Sequence, residues 1–235
     1  MQQFIQGVLD GLRLFFTGDR DLWQIISVSA QVSGVALLIS AVVGIPLGAL
    51  LGLVHFRGRR LVQAIIYTGM GLPPVVVGLA VYLLISRNGI LGPLNWSWVP
   101  ELFTVPAMIF AQVIIATPLV MGYTMSAVAD VSPDLRLQLQ SLGATRSQVI
   151  WAVLREARLG VIVALVGGLG SIISELGAVQ MVGGNIEGST RVLTTAIMLE
   201  TRQGDFAMAI GLGMVLLLLS FVINVGMTLL QGKGN

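Results

Sequence analysis

Phe206–Gly232 reads FAMAIGLGMVLLLLSFVINVGMTLLQG, a run without one Asp, Glu, Lys or Arg. A helix needs about 20 mostly apolar residues to cross the hydrocarbon core of a bilayer, and this run exceeds that. The same property recurs outward along the chain. Leu22–Val54, Leu61–Ser86 and Leu102–Ala129 also lack every charged residue type, and each is longer than a crossing requires. Leu159–Val182 is apolar throughout except for Glu175. Lipid offers no hydrogen bonds to the backbone, so each crossing must satisfy its own N–H and C=O groups as a helix. The expectation is an all-α integral membrane protein with five transmembrane helices, at about 27–54, 61–86, 104–129, 159–182 and 206–231.

Composition agrees with that reading. Of the 235 residues, 55% are hydrophobic and 10% are charged, whereas a soluble domain carries about 25% charged residues. An ordinary water-soluble enzyme is thereby excluded. Cysteine is absent, which removes disulfides, thiolate nucleophiles and Cys-bound metals. Residues 1–24 form a separate segment, with Phe4, Ile5, Val8, Leu9, Leu12, Phe15 and Phe16 at helical spacing and Gln6, Asp10 and Arg13 between them. That pattern predicts a short amphipathic helix lying on the membrane, followed by the five-helix domain over 25–235.

The charges then orient the chain. Arg57, Arg59, Arg60, Arg136, Arg146, Arg155, Arg158 and Lys233 fall on one side of the five spans, with only Asp130, Asp134 and Glu156 as acids there. Arg13, Arg20, Arg87, Arg191 and Arg202 fall on the other. Cytoplasmic loops carry the excess of basic residues, so the N-terminus is expected outside and the C-terminus inside, as an odd span count requires. The basic loops therefore need no nucleic acid to explain them. Other chemistries fail on their own residues. The only lysine is Lys233, so no phosphate-binding Gly-Lys-Ser/Thr loop exists and the chain cannot be an ATPase. The only histidine, His55, has no partner for a hydrolase or a metal centre. No metal or cofactor site is expected in this chain.

Residues 130–158, between the third and fourth spans, are rich in helix signals. Ser132-Pro133-Asp134 supplies a cap, a proline at the first helical position and an acid in the first turn. Leu135, Leu139 and Leu142 form an apolar stripe, Gly143 can end the helix, and Thr145-Arg146-Ser147-Gln148 fits a capping box. The prediction is helix, glycine elbow, helix. It serves either as a connector that turns the chain or as a docking knob, because a stripe of three leucines otherwise lacks cover. Leu142-Gly143-Ala144-Thr145 resembles the signature cytoplasmic loop of permease subunits of bacterial ATP-binding-cassette importers, with Leu137, Gln138 and Leu139 at its Glu-Ala-Ala positions. The resemblance implies a type I importer core whose elbow fits a groove of the ATPase. Leu137, Gln138, Gln140, Ser141, Leu142, Gly143, Ala144 and Thr145 are the candidate coupling residues.

A second segment sharpens the resemblance. Ile173-Ser174-Glu175-Leu176-Gly177-Ala178, Gly183-Gly184-Asn185-Ile186-Glu187-Gly188-Ser189-Thr190-Arg191 and Thr194-Thr195-Ala196-Ile197 resemble the shared motif of oxyanion permeases for molybdate and tungstate. Leu176 and Glu187, which depart from the molybdate-type pattern, are with the five-span layout similar to the tungstate-type branch. Physically, Gly167, Gly168, Gly170, Ser171, Ser174, Gly177 and Ala178 give the fourth span a small-residue face. Such a face serves close packing within a subunit or the centre of a dimer. Glu175, ionisable inside a span, either holds a closed outer gate or is a structural group bonded to its neighbours. Gly183, Gly184 and Asn185 can form a positive-φ turn. The turn would aim N–H groups and the hydroxyls of Ser189, Thr190, Thr194 and Thr195 at an anion. Arg191 and Arg202 at the outer mouth either meet an external binding protein or are simply solvated.

The resemblance thus implies a permease that acts as a homodimer in the bacterial cytoplasmic membrane. Its partners would be two ATPase subunits, which carry the ATP and Mg, and an external substrate-binding protein. The cargo would be a tetrahedral oxyanion, tungstate first, moved by alternating access. The alternative is an autonomous channel or proton-coupled transporter using Glu175.

Overall fold

A computed structural model describes residues 20–54, 56–94 and 96–232. It is helical, with no strand among the described residues. The helices are α1 (Arg20–Leu53), α2 (Arg59–Met70), α3 (Pro74–Ile85), α4 (Val105–Ala129), α5 (Pro133–Ser141), α6 (Arg146–Glu156), α7 (Arg158–Ile173), α8 (Gly177–Gly183), α9 (Leu193–Gln203) and α10 (Phe206–Gly232). Three of them, α1, α4 and α10, are individually long and apolar enough to cross a membrane, and up to five crossings result if each of two bent pairs is one span.

Those bent pairs correct the expectation of five unbroken helices. The second predicted span divides into α2 and α3 at Gly71-Leu72-Pro73. Pro73 is extended (φ −62°, ψ 123°) and Pro74 occupies the first turn of α3. Both prolines lack an N–H and disfavour helix in the residue before them, so a helix stops here and another starts. The fourth predicted span divides into α7 and α8 at Ser174-Glu175-Leu176. The amphipathic helix expected over residues 1–24 lies mostly outside the described residues, and the part within them, Arg20–Gln24, opens α1.

The chain forms two compact units. One comprises Met1–Ala36, Pro73–Gln112 and Ile172–Gly226. Its apolar centre gathers Leu22, Leu193, Ala196, Leu212 and Val215, with Ile25, Ile26, Ile197 and Met208 against them. Here α3 lies on α8 at backbone contact. A Cβ on Gly78 would collide with Ala178, and one on Gly177 with Val75. Close approach of this kind needs small residues at the crossing.

The other unit comprises Leu37–Leu72, Val113–Ser171 and Met227–Asn235. Gly44, Gly48 and Gly52 of α1 recur every fourth residue and face Val120, Met121, Thr124, Met125 and Val128 of α4. Thr117 Oγ1 donates to Ser40 Oγ across the same seam (3.2 Å). The elbow belongs to this unit. Val131, Val149, Val153 and Ala157 cluster with Ala49 and Val128, and Leu135, Leu139, Ala144 and Leu154 close over them.

Candidate functional site

The elbow has the geometry its sequence predicts. The hydroxyl of Ser132 accepts from the Asp134 amide (3.2 Å) and starts α5. Gly143 takes φ +81°, which a side chain would strain. Thr145 and Gln148 complete a reciprocal capping box, with the Thr145 amide donating to Gln148 Oε1 at 2.8 Å and the Gln148 amide to Thr145 Oγ1 at 3.4 Å. The amides of Ala157 and Val161 donate to the carbonyls of Val153 and Ala157 (2.8 and 3.0 Å), so α6 runs into α7 with little interruption. The leucine stripe needs correcting. Leu135 and Leu139 turn inward onto the elbow's own core, while Leu142 is 84% exposed and Leu137 also faces out. The apolar tip is therefore Leu142 with Leu137. Trp151 on α6 is exposed as well, a residue the sequence reading passed over although a lone indole in an Arg-rich helix marks a surface.

At the break between α7 and α8 the polar groups close on one another. Glu175 is 8% exposed. Its Oε1 accepts from the Ala178 amide (2.8 Å), which caps the start of α8, and its carbonyl accepts from Thr194 Oγ1 (2.9 Å). A broken helix leaves backbone groups without partners, and in an apolar setting each must be bonded to something. Gln112 of α4 supplies another partner: its Nε2 donates to the Ile172 carbonyl (3.0 Å). Gln112 is 2% exposed and its Oε1 has no partner. It borders a small cavity of about 10 Å³ together with Ser29, Ser33, Glu175 and Thr194. That volume is near the lower limit for one water. The sequence reading missed Gln112, although an amide inside a charge-free span was the available signal.

The turn after α8 has the backbone expected of it. Gly184 (φ 72°), Asn185 (φ 54°) and Gly188 (φ 72°) all lie in the left-handed region. Its donors, however, do not face outward. The amides of Ser189, Thr190 and Arg191 all donate to the Ile186 carbonyl (3.2, 3.0 and 3.0 Å). The hydroxyl of Thr190 donates to the Gly183 carbonyl and accepts from the Ile186 amide, and that of Thr195 bonds the Val192 backbone. The hydroxyls of Thr190 and Thr195 and these three amides are thus bonded within the turn rather than aimed at an anion, because donors buried without a ligand must find partners in the chain, while Asn185 Oδ1 and Arg191 Nε are buried without one. Ser189 alone among these hydroxyl residues is exposed. Ser29 Oγ accepts from the Leu193 amide (2.9 Å) and ties α1 to the start of α9.

The small-residue face is also shared out differently from a simple dimer seam. Gly167 packs on Tyr123 and Gly168 on Val120, and Gly177 and Ala178 meet α3, so only Gly170 has open space where a side chain would stand. The arginines diverge too. Arg191 pairs with Glu187 (3.4 Å) and its side chain is 19% exposed. It lines a cavity of about 220 Å³ with Asp21, Gln24, Glu187, Ser189 and Glu200. Arg202 is exposed in the last turn of α9, where a cation complements the helix dipole.

Comparison with known proteins assigns the architecture. Residues 44–233 match the family described as binding-protein-dependent transport system inner membrane component. The chain is 39% identical over 231 residues to the tungstate uptake system permease protein TupB of Peptoclostridium acidaminophilum, covering 98% of this chain and 99% of that one. It is 42% identical over 219 residues to a probable anion ABC transporter permease protein of Haloferax volcanii, covering 90% and 92%. A solved bacterial ABC transporter that imports the acidic polysaccharide alginate superposes on 96% of this chain and 84% of its own, with TM-score 0.77 at 22% identity. The chain belongs to the family of inner membrane components of binding-protein-dependent transport systems, the permease subunits of ABC importers.

Proposed function

We propose that this permease moves a tetrahedral oxyanion, tungstate in the first place, inward by alternating access. As a permease subunit the chain is a transport component, and ATP hydrolysis belongs to a separate subunit. The observation that carries the anion is the 39% identity, over nearly the whole of both chains, to a tungstate uptake permease. The bent pairs α2–α3 and α7–α8 each count as one crossing in this reading. That yields five spans in the bacterial cytoplasmic membrane, N-terminus outside, with residues 1–24 an interfacial segment and 25–235 the permease domain. Two copies associate, each elbow seating one ATPase through Leu142, Leu137, Gln138, Gln140, Ser141, Gly143, Ala144 and Thr145, with ATP and Mg held by that subunit.

On the outer side, the turn Gly183–Asn185 with Ser189, Thr190 and Thr194 forms the gate, and Glu175 holds it through its bonds to α8 and α9. Closure of the ATPases on ATP draws the elbows together and rocks the gate open toward the binding protein, which docks near Arg191 and Arg202. Its hydroxyls and amides, bonded to one another in this structure, then become exchangeable donors for the anion. A dianion passes dipoles more readily than fixed cations, and no span carries Lys or Arg.

The test uses the absence of cysteine. A single cysteine at Gln140 or Ala144, carrying a cleavable crosslinker in native membranes, should capture a subunit with a phosphate-binding loop. Proteoliposomes of the assembled transporter with its binding protein should accumulate tungstate in preference to molybdate and sulfate in an ATP-dependent manner. Accumulation without ATP or the ATPase would overturn the reading.

A further inference from the structure

The connection between α3 and α4, described over residues 86–94 and 96–104, is held by backbone hydrogen bonds and presents bulky apolar side chains outward. The Gly89 amide donates to the Ser86 carbonyl (2.8 Å), the Leu91 amide reaches back to the Leu84 carbonyl (2.9 Å), and the Val99 amide closes a turn on Trp96 (2.9 Å). Gly89 and Gly92 leave no room for a Cβ against the end of α3. At the far end the Phe103 amide donates to the Val182 carbonyl (2.7 Å), and the Phe103 ring lies over Gly184 and near Tyr82. The connection is thus pinned to α3 and to the turn after α8. Held on this frame, Ile90 is 76% exposed and Trp98 64%, Leu94 and Trp96 also stand out, and the two indoles pair at 5.2 Å. Arg87 and Glu101 are the only charged residues in the stretch.

We propose that Ile90, Leu94, Trp96 and Trp98 form an anchor seated in the headgroup zone of the bilayer, in the outer leaflet under the proposed topology. Three observations favour lipid over a soluble partner. The stretch lies directly between two charge-free runs, ending at Ser86 and starting at Leu102, so both of its ends join segments that enter the hydrocarbon. The helix it leaves, α3, also exposes large apolar side chains, at Val75, Val76, Leu79 and Leu83. And indole combines an apolar ring with one N–H donor, which suits the boundary between acyl chains and headgroups. A binding protein that leaves in every cycle would return this surface to water each time, whereas lipid is always present. Because Phe103 joins the anchor to Gly184, the anchor fixes the outer lip of the gate against the membrane. The anchoring rests on membrane residence, its leaflet and its link to the gate rest on the proposed function, and neither depends on which anion is carried.

The test is depth-dependent fluorescence quenching of the full chain in phosphatidylcholine vesicles. With Trp23→Phe and Trp151→Phe in place, the emission comes from Trp96 and Trp98. Bromine on acyl carbons next to the headgroup should lower it at least about twofold, with little effect of aqueous iodide. Should that background fold poorly, the otherwise native chain carrying Trp96→Phe and Trp98→Phe should lose the same quenched component. Quenching by iodide and not by brominated lipid would overturn the proposal, and its suppression by added binding protein would assign the surface to that partner instead. Protection from both quenchers would also overturn it, by placing a second copy of the chain over the indoles.

Discussion

Glu175 makes its bond to α8 through one carboxyl oxygen. Its Oε1 takes the Ala178 amide at 2.8 Å in a setting only 8% exposed. A glutamine can make the same bond, so Glu175→Gln should retain uptake and lose less than about 1 kcal/mol of stability from the missing charge at a helix start. Glu175→Ala leaves a buried amide unpaired and should cost about 2 kcal/mol. Thermal unfolding of the purified variants beside their uptake checks both, and an inactive but stable Glu175→Gln would show that the charge itself is required. Gly184 illustrates a different constraint. Its φ of 72° and the Phe103 ring against it exclude a side chain on two counts. Gly184→Ala should destabilise by about 1–2 kcal/mol from the left-handed backbone alone, measured in the same way.

At the scale of elements, the elbow separates residues that hold it from residues it offers. Leu135 is covered by the elbow's own core and Leu142 is not. Leu135→Ala should therefore cost about 1–2 kcal/mol, less than a fully buried leucine because it is only partly covered. Leu142→Asp should move stability by less than about 0.5 kcal/mol yet abolish co-purification with the ATPase. Normal assembly of Leu142→Asp would remove the elbow from the docking surface. The helices, the glycine between them and the capping box were legible because each depends on residues within four positions along the chain. Which leucines face out was not, since Leu135, Leu139 and Leu142 share one stripe and only packing against Val131, Val149 and Val153 divides them.

For the whole molecule, placement across the membrane sets which loops meet which partners. A cysteine at Ala144 and another at Ser189, each alone in the cysteine-free chain, should react with an impermeant thiol reagent from opposite sides in sealed vesicles. Labelling from the same side would overturn the five-span topology. The sequence by itself determined the solvent of this protein, because charge-free runs longer than a bilayer crossing have no place in water. It also determined the elbow and the left-handed turn at Gly184 and Asn185, where glycine, asparagine and capping residues act locally. Tertiary structure alone decided where the fourth span breaks, since uniform hydropathy is silent on whether a partner such as Gln112 or Glu175 stands ready for the backbone groups a break exposes, whereas the break in the second span is written locally in Pro73 and Pro74. It alone showed that most of the glycines at 167–177 and the run Gly44, Gly48, Gly52 meet helices of the same chain. It also turned the hydroxyls of Thr190 and Thr195 inward. The physical reason is shared by the glycines and the hydroxyls: a small residue or a hydroxyl is permissive along the chain, and its role is set by whichever atom the folded chain brings against it.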